Sequence, residues 1–123
     1  MRRHIIESWL LLLYFDCLLR LGDSDRIYRA VRKSTIRSTA KEECATQLCH
    51  AIDLACVFYF KRVLCLHRSA ATTVLLRRYG WNAQMVIGAQ VFPFQSHAWV
   101  EIDGRVVNDK PYITEMFQAL ERC

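Results

Sequence analysis

The sequence is poor in the residues that make linkers, with two prolines and four glycines in 123 positions. That argues against a long flexible tail or a low-complexity spacer. Long apolar runs are missing too. The greasiest stretch, Trp9 to Phe15, is far shorter than the about 20 residues that cross a bilayer, and Glu7 and Asp16 flank it. Met1-Arg2-Arg3-His4 precedes it, but no small-residue cleavage site follows, so it makes a poor export signal. There is no repeat, no zinc-finger spacing and no aromatic-glycine pattern of a single-strand nucleic-acid reader. Acidic residues are in the minority, 12 against 17 Lys and Arg, for a net charge of +5. The charge permits an anionic partner, but nothing else points to nucleic acid.

What is present is a globular composition, 53% hydrophobic and 24% charged, which suits one domain with one modest core. Six cysteines is a high count. Without an export signal they are expected as mostly reduced thiols in a cytoplasmic protein rather than as three disulfides. Cys44, Cys49, His50 and Cys56 crowd together, yet their spacing matches no closed zinc site. No metal and no cofactor is expected.

Periodicity predicts an α+β fold: a helical half over residues 1–64, then a core over 65–123 with a small antiparallel sheet. The first helix spans 5–21, with Ile5, Trp9, Leu12, Leu13, Phe15 and Leu19 apolar, Asp16 and Arg20 paired outside, and Gly22 as terminator. It is either buried on most sides or a surface that docks a partner protein or rests on a membrane. The second spans 24–34, capped by Ser24 or Asp25. It has a thin stripe of Ile27, Tyr28 and Val31 and a basic face of Arg26, Arg29, Arg32 and Lys33, continued by Arg37 and Lys41. The third, about 41–61 and capped by Ser38 or Thr39, carries only Asp53 as a formal charge between Cys44 and Phe60, so it is expected at the centre. Tyr59 near its end needs a partner for its hydroxyl.

A fourth helix is predicted over 66–79, basic at its end through Arg77 and Arg78 and stopped by a left-handed Gly80. A strand follows within 81–91, where Gly88 marks a bulge or a close approach. His97 to Ile102 and Arg105 to Asp109 form a hairpin around Asp103-Gly104. A last short helix over 114–120 should bury Met116, Phe117 and Leu120.

Three residues of this second half carry chemistry. Cys65 stands at a helix start, where free N–H groups and partial positive charge stabilise a thiolate and an oxyanion. His97 on the hairpin is the matching base, and Asp109 on the returning segment can orient it. The register decides that pairing. A two-residue turn sets His97 opposite Lys110 and Asp109 on the other face, whereas a three-residue loop, Ile102-Asp103-Gly104, sets His97 opposite Asp109. Sequence allows both. Gln95, Gln84 and Gln47 are open candidates for a second oxyanion donor. His67 is a rival base without a partner acid. Singly, each residue has a bland structural reading; jointly they predict a thiol hydrolase, a peptidase.

Cys65-Leu66-His67-Arg68-Ser69, Leu75-Leu76-Arg77-Arg78-Tyr79-Gly80 and Pro93-Phe94-Gln95-Ser96-His97-Ala98-Trp99-Val100-Glu101 resemble the lasso peptide leader peptidases. These are bacterial B proteins of the transglutaminase-like superfamily, which shares the papain-like Cys-His-Asp plan. The His-Ala-Trp-Val-Glu piece alone would indicate only the superfamily; Cys-Leu-x-Arg-Ser and Pro-Phe make the match more specific. The resemblance implies that Cys65 is the nucleophile, His97 the base and Asp109 the third member, within one transglutaminase-like domain spanning 1–123. It also implies cleavage after a leader whose next-to-last residue is commonly threonine.

Fused members of the family carry an N-terminal leader-gripping module with strands, whereas residues 1–64 here read as wholly helical. The resemblance therefore implies the stand-alone, B2-type half of a split system. Its partners would be the precursor's leader peptide, a separate leader-recognition protein and, downstream, an ATP-dependent lasso cyclase. Two alternatives remain: a transglutaminase-like acyltransferase of the same fold, and a small non-catalytic partner-binding protein that works through its first two helices.

Overall fold

A computed structural model describes residues 2–22, 24–36, 44–90, 94–110 and 112–123. Four helices come first: α1 (Arg2–Leu21), α2 (Ser24–Lys33), α3 (Ala45–Phe58) and α4 (Cys65–Arg78). They are followed by β1 (Ala83–Gln90), β2 (Gln95–Ile102), β3 (Arg105–Val106), the single turn α5 (Ile113–Met116) and β4 (Gln118–Arg122). The fold is thus α+β, a helical first part followed by a small antiparallel sheet in the order β3-β2-β1-β4. No helix among the described residues is long and apolar enough to cross a membrane. Arg37, Ser38, Thr39, Lys41 and Pro93, all invoked from sequence, lie outside the described residues.

One main core forms where α1, α2 and α3 meet α4 and one face of the sheet. Leu12, Phe15, Ile27, Val31, Leu48, Ile52, Leu75, Leu76, Met85 and Val100 are essentially inaccessible there. Only α4 is buried along most of its length, so it, rather than α3, is the central helix. A smaller cluster of Val86, Trp99, Ile113 and Phe117 is distinct from it. Alternation along the strand divides β2 between the two: Val100 and Ile102 join the main core, and Trp99 joins the smaller cluster.

Several local expectations are corrected. Asp16 does not pair outside the molecule. It lies four residues from buried Leu12, hence on the buried stripe of α1. There it accepts a hydrogen bond from the Tyr59 hydroxyl at 3.1 Å and meets Lys61 at 2.7 Å, with Arg20 at 3.7 Å. Burial alone would raise its pKa, but these partners hold it below the ordinary value. Helix α3 stops at Phe58, three residues early, because Tyr59 turns extended (φ −72°, ψ 146°). Leu10 and Tyr14 on α1 remain half exposed.

Arg77 is not a surface charge at a helix end. Its guanidinium is buried and donates to the carbonyls of Ala83 (2.9 Å), Val31 (2.5 Å) and Cys123 (2.8 Å) and to the Ser34 hydroxyl (2.8 Å). One side chain thereby ties α4 to α2, β1 and the C-terminal residue. The tail is not a helix over 114–120 either. After one turn it extends as β4, since an open edge of β1 would leave backbone groups unpaired. Met85 and Cys123 exchange both backbone bonds, at 3.1 and 2.8 Å. Phe117 is buried, but Met116 and Leu120 are exposed.

The expectation for Gly88 holds in both of its forms. The β1–β4 register shifts between Ile87 and Gly88, and a Cβ at Gly88 would lie 2.5 Å from the Trp99 ring. Gly80 ends α4 with φ 89°.

Candidate active site

Helix α4 begins at Cys65, with Leu64 as an extended N-cap (φ −80°, ψ 158°). Arg68 N–H closes the first turn onto the Leu64 carbonyl at 3.0 Å. The N–H groups of Cys65, Leu66 and His67 precede any intrahelical acceptor, so they are available to an anion. Cys65 is exposed, and all six cysteines are free thiols.

Ser69 lies one turn further along α4, on the same face as Cys65. Its hydroxyl donates to the carbonyl of Ala98, the neighbour of His97, at 3.0 Å. The Asn108 amide donates to that hydroxyl at 3.2 Å and, through Oδ1, accepts from the Val100 N–H at 2.7 Å. This relay fastens the first turns of α4 to the end of β2 that carries His97. Neither Ser69 nor Asn108 was singled out from sequence as a site residue, although Ser69 closes the Cys-Leu-x-Arg-Ser motif.

The hairpin uses the two-residue turn. Ile102 pairs with Arg105, and Asp103 and Gly104 take φ of 50° and 82°. A strict ladder would have sent Asp109 away from His97. The ladder instead ends after Val107, whose N–H donates to the Val100 carbonyl at 2.9 Å. The Asn108 side chain then supplies the acceptor that the strand would have offered. Freed from the register, the chain bends, and Asp109 Oδ2 meets His97 Nε2 at 2.5 Å.

The Lys110 N–H donates to the other Asp109 oxygen at 2.7 Å. Burial works against ionisation of Asp109, yet the His97 and Lys110 hydrogen bonds, with the charges of His97 and Arg68, bring its pKa below the ordinary value. With Nε2 engaged, His97 keeps Nδ1 without a hydrogen-bond partner among the described residues. Its ring rests 5.5 Å from Phe117 and 6.3 Å from Trp99. Trp99 is locked in turn by donation to Glu101, which Arg122 of β4 also binds, both at 2.8 Å.

The structure thus joins His97 to Asp109 directly and brings α4, one turn from Cys65, onto the same strand end. The rival His67 is buried, its Nε2 has no partner among the described residues, and burial pushes its pKa down. Gln47 and Gln84 are exposed, and Gln95 accepts from Gln90 at 3.3 Å. No group of three or more His, Cys, Asp or Glu among the described residues could hold a metal. Cys49 is a partly buried thiol, its pKa pushed up to about 11 chiefly by desolvation.

Two hollows flank Asp109. The polar one, about 390 Å³, includes Cys49, Asp53, Arg68 and Asn108 in its wall, with Arg68 paired to Asp53 at 2.6 Å. The apolar one, about 330 Å³, lies between His97 and the α5 segment.

The site as it stands is a strand-borne histidine hydrogen-bonded to an aspartate, with an exposed cysteine at the start of α4. Residues 9–122 match the transglutaminase-like superfamily, and the chain belongs to that superfamily. It is also similar to the microcin J25-processing protein McjB of Escherichia coli, at 38% identity over 56 residues. That alignment covers 46% of this chain and 27% of McjB, so the match spans about a quarter of the curated relative. No solved structure matches the chain.

Proposed function

We propose that this chain is a cysteine peptidase that removes the leader from a ribosomally made lasso peptide precursor, with Cys65, His97 and Asp109 as its triad. The observation that carries the reading is the His97–Asp109 hydrogen bond, in a chain homologous to a microcin-processing protein. His97 Nδ1 takes the Cys65 proton, and the thiolate attacks the scissile carbonyl carbon. The resulting oxyanion is held by the free N–H groups at the start of α4. The C–N bond then breaks as the imidazolium passes its proton to the departing amine. Water, losing a proton to His97, attacks the thioester and releases the leader carboxylate and the thiol. Asp109 keeps the Nε2 proton in place throughout and stabilises the imidazolium.

The same acyl-enzyme resolved by an amine would make an acyltransferase. Mass spectrometry of products separates the two, because hydrolysis adds water and acyl transfer adds the amine. Cys65→Ala should abolish product while leaving the circular dichroism spectrum unchanged. Activity that survives that substitution would remove the mechanism.

We further read the whole chain, 1–123, as one cytoplasmic catalytic domain that takes its precursor from a separate leader-recognition protein and hands product to an ATP-dependent cyclase. Support comes from α1 and α2, where half-exposed Tyr14 shares a hollow with Arg26, Arg29 and Lys33 and lines another with half-exposed Leu10. A partner that holds the leader raises its effective concentration at Cys65. Equal kcat/KM for the precursor with and without the recognition protein would rule out the split arrangement.

A further inference from the structure

The apolar hollow beside His97 has no part in the steps above. It is lined by His97, Asp109, Lys110, Tyr112, Ile113, Met116 and Phe117. Its volume, about 330 Å³, lies at the small end of ligand pockets, which run from about 300 to 1,000 Å³. Phe117 is buried, while Tyr112 and Met116 are 48% and 50% exposed. Apolar surface thus stays uncovered around a dent that opens onto the proposed base.

The topology says which part of a substrate meets it. The hollow belongs to the Ile113–Phe117 side of His97, whereas α4 packs with the main core. In the proposed reaction the attacked carbonyl sits at the start of α4. The departing amine must reach His97 to collect a proton, so the chain that follows the scissile bond leaves past His97.

We propose that this hollow is the subsite for an apolar side chain, aliphatic or aromatic, in one of the first two residues after the scissile bond. The proposal rests on the peptidase reading and names what that site selects. Lys110, its ammonium 5.8 Å from the Tyr112 ring centroid, sets a positive charge at the rim, while both oxygens of the Asp109 carboxylate in the wall are engaged by His97 and the Lys110 N–H, so a cationic side chain is disfavoured.

Two measurements test it separately from the reaction. In the first, the intact protein is equilibrated with disulfides of phenethyl, isobutyl and aminoethyl thiols under mild reductant. Capture is read by intact mass and located to Cys65 by tryptic mapping. Phenethyl and isobutyl thiols should be captured at Cys65 about tenfold better than aminoethyl thiol. Met116→Glu, a change at a half-exposed position, should erase that preference without changing the circular dichroism spectrum or the rate of Cys65 alkylation by iodoacetamide. Equal capture, or a preference that survives Met116→Glu, overturns the subsite.

In the second, precursor peptides carrying Leu, Glu or Lys at each of the two positions are hydrolysed in the presence of the recognition protein. Leu should be favoured about tenfold in kcat/KM at one of them, and Met116→Glu should remove the advantage. Hydrolysis indifferent to both positions overturns the subsite and leaves the peptidase reading standing. Selective capture with no hydrolysis of any precursor removes the peptidase reading and with it the assignment to the released segment.

Discussion

Asp109→Asn should be worse for catalysis than Asp109→Ala, although asparagine is the closer mimic. The two carboxylate oxygens have different duties: Oδ1 accepts the Lys110 N–H at 2.7 Å, and Oδ2 faces His97 Nε2 at 2.5 Å. Asparagine has one acceptor oxygen. If that oxygen stays with the Lys110 N–H, the NH2 group takes the place of Oδ2 and donates to Nε2. The ring proton is then driven onto Nδ1, the nitrogen that must receive the thiol proton, and the imidazolium loses its anion. Alanine removes the orienting acceptor but imposes no wrong tautomer. A hydrogen bond to a charged group contributes about 1.5–3 kcal/mol. At about 1.4 kcal/mol per decade, Asp109→Ala should lower kcat/KM by roughly 10- to 150-fold. Asp109→Asn should lower it by about 10³–10⁴, the scale seen when a triad histidine is held in the wrong tautomer. The assay is initial-rate hydrolysis of the proposed precursor with the proposed recognition protein present, across pH 5–9. An asparagine variant as fast as the alanine variant, or faster, would refute this account of how Lys110 divides the carboxylate.

Arg77→Leu should destabilise the fold by about 2–4 kcal/mol, because buried carbonyls lose their donor at about 1–3 kcal/mol each while the desolvation of the guanidinium is relieved, and lower Tm by roughly 10–20 °C. Differential scanning calorimetry decides it, and a loss below about 1 kcal/mol would mean that the hydrogen bonds of its guanidinium are not holding the segments together. His67 gives a pH prediction. Burial depresses its pKa in the folded state below the ordinary 6.5, so the unfolded chain binds the extra proton first. The stability tied to the neutral form is present above pH 6.5 and is lost as pH falls towards the folded-state pKa. Thermal unfolding of His67→Leu at pH 7 and pH 5 should therefore show a smaller drop in Tm than the parent protein, and an equal drop would refute the assignment.

Much of the site can be read directly from the chain, and much of its geometry cannot. The Cys65 helix start, the Gly80 stop, the tight passage at Gly88 and the Asp103-Gly104 turn are local, written in residue type and spacing. Backbone sterics and side-chain periodicity act over a few residues, so a single sequence displays them. The α+β division follows for the same reason, from a period near 3.6 giving way to a period of 2.

Tertiary packing decided the rest. Asp16 and Arg77 look like surface charges in sequence. They became buried junctions because carbonyls and a tyrosine hydroxyl, tens of residues distant, converge on them. The tail became β4 because β1 had an open edge, and no local propensity of Gln118 to Arg122 records that need. The same holds for the proposed triad. Register arithmetic tied the His97–Asp109 pairing to a three-residue loop; the turn has two residues, and the pair forms all the same. The reason is the Asn108 side chain, which replaces a ladder acceptor while its other end binds Ser69 on α4. The chemistry of each group is a property of its residue, legible one letter at a time. Their meeting depends on where a strand is released from its neighbour, and that is set by a contact between segments 39 residues apart.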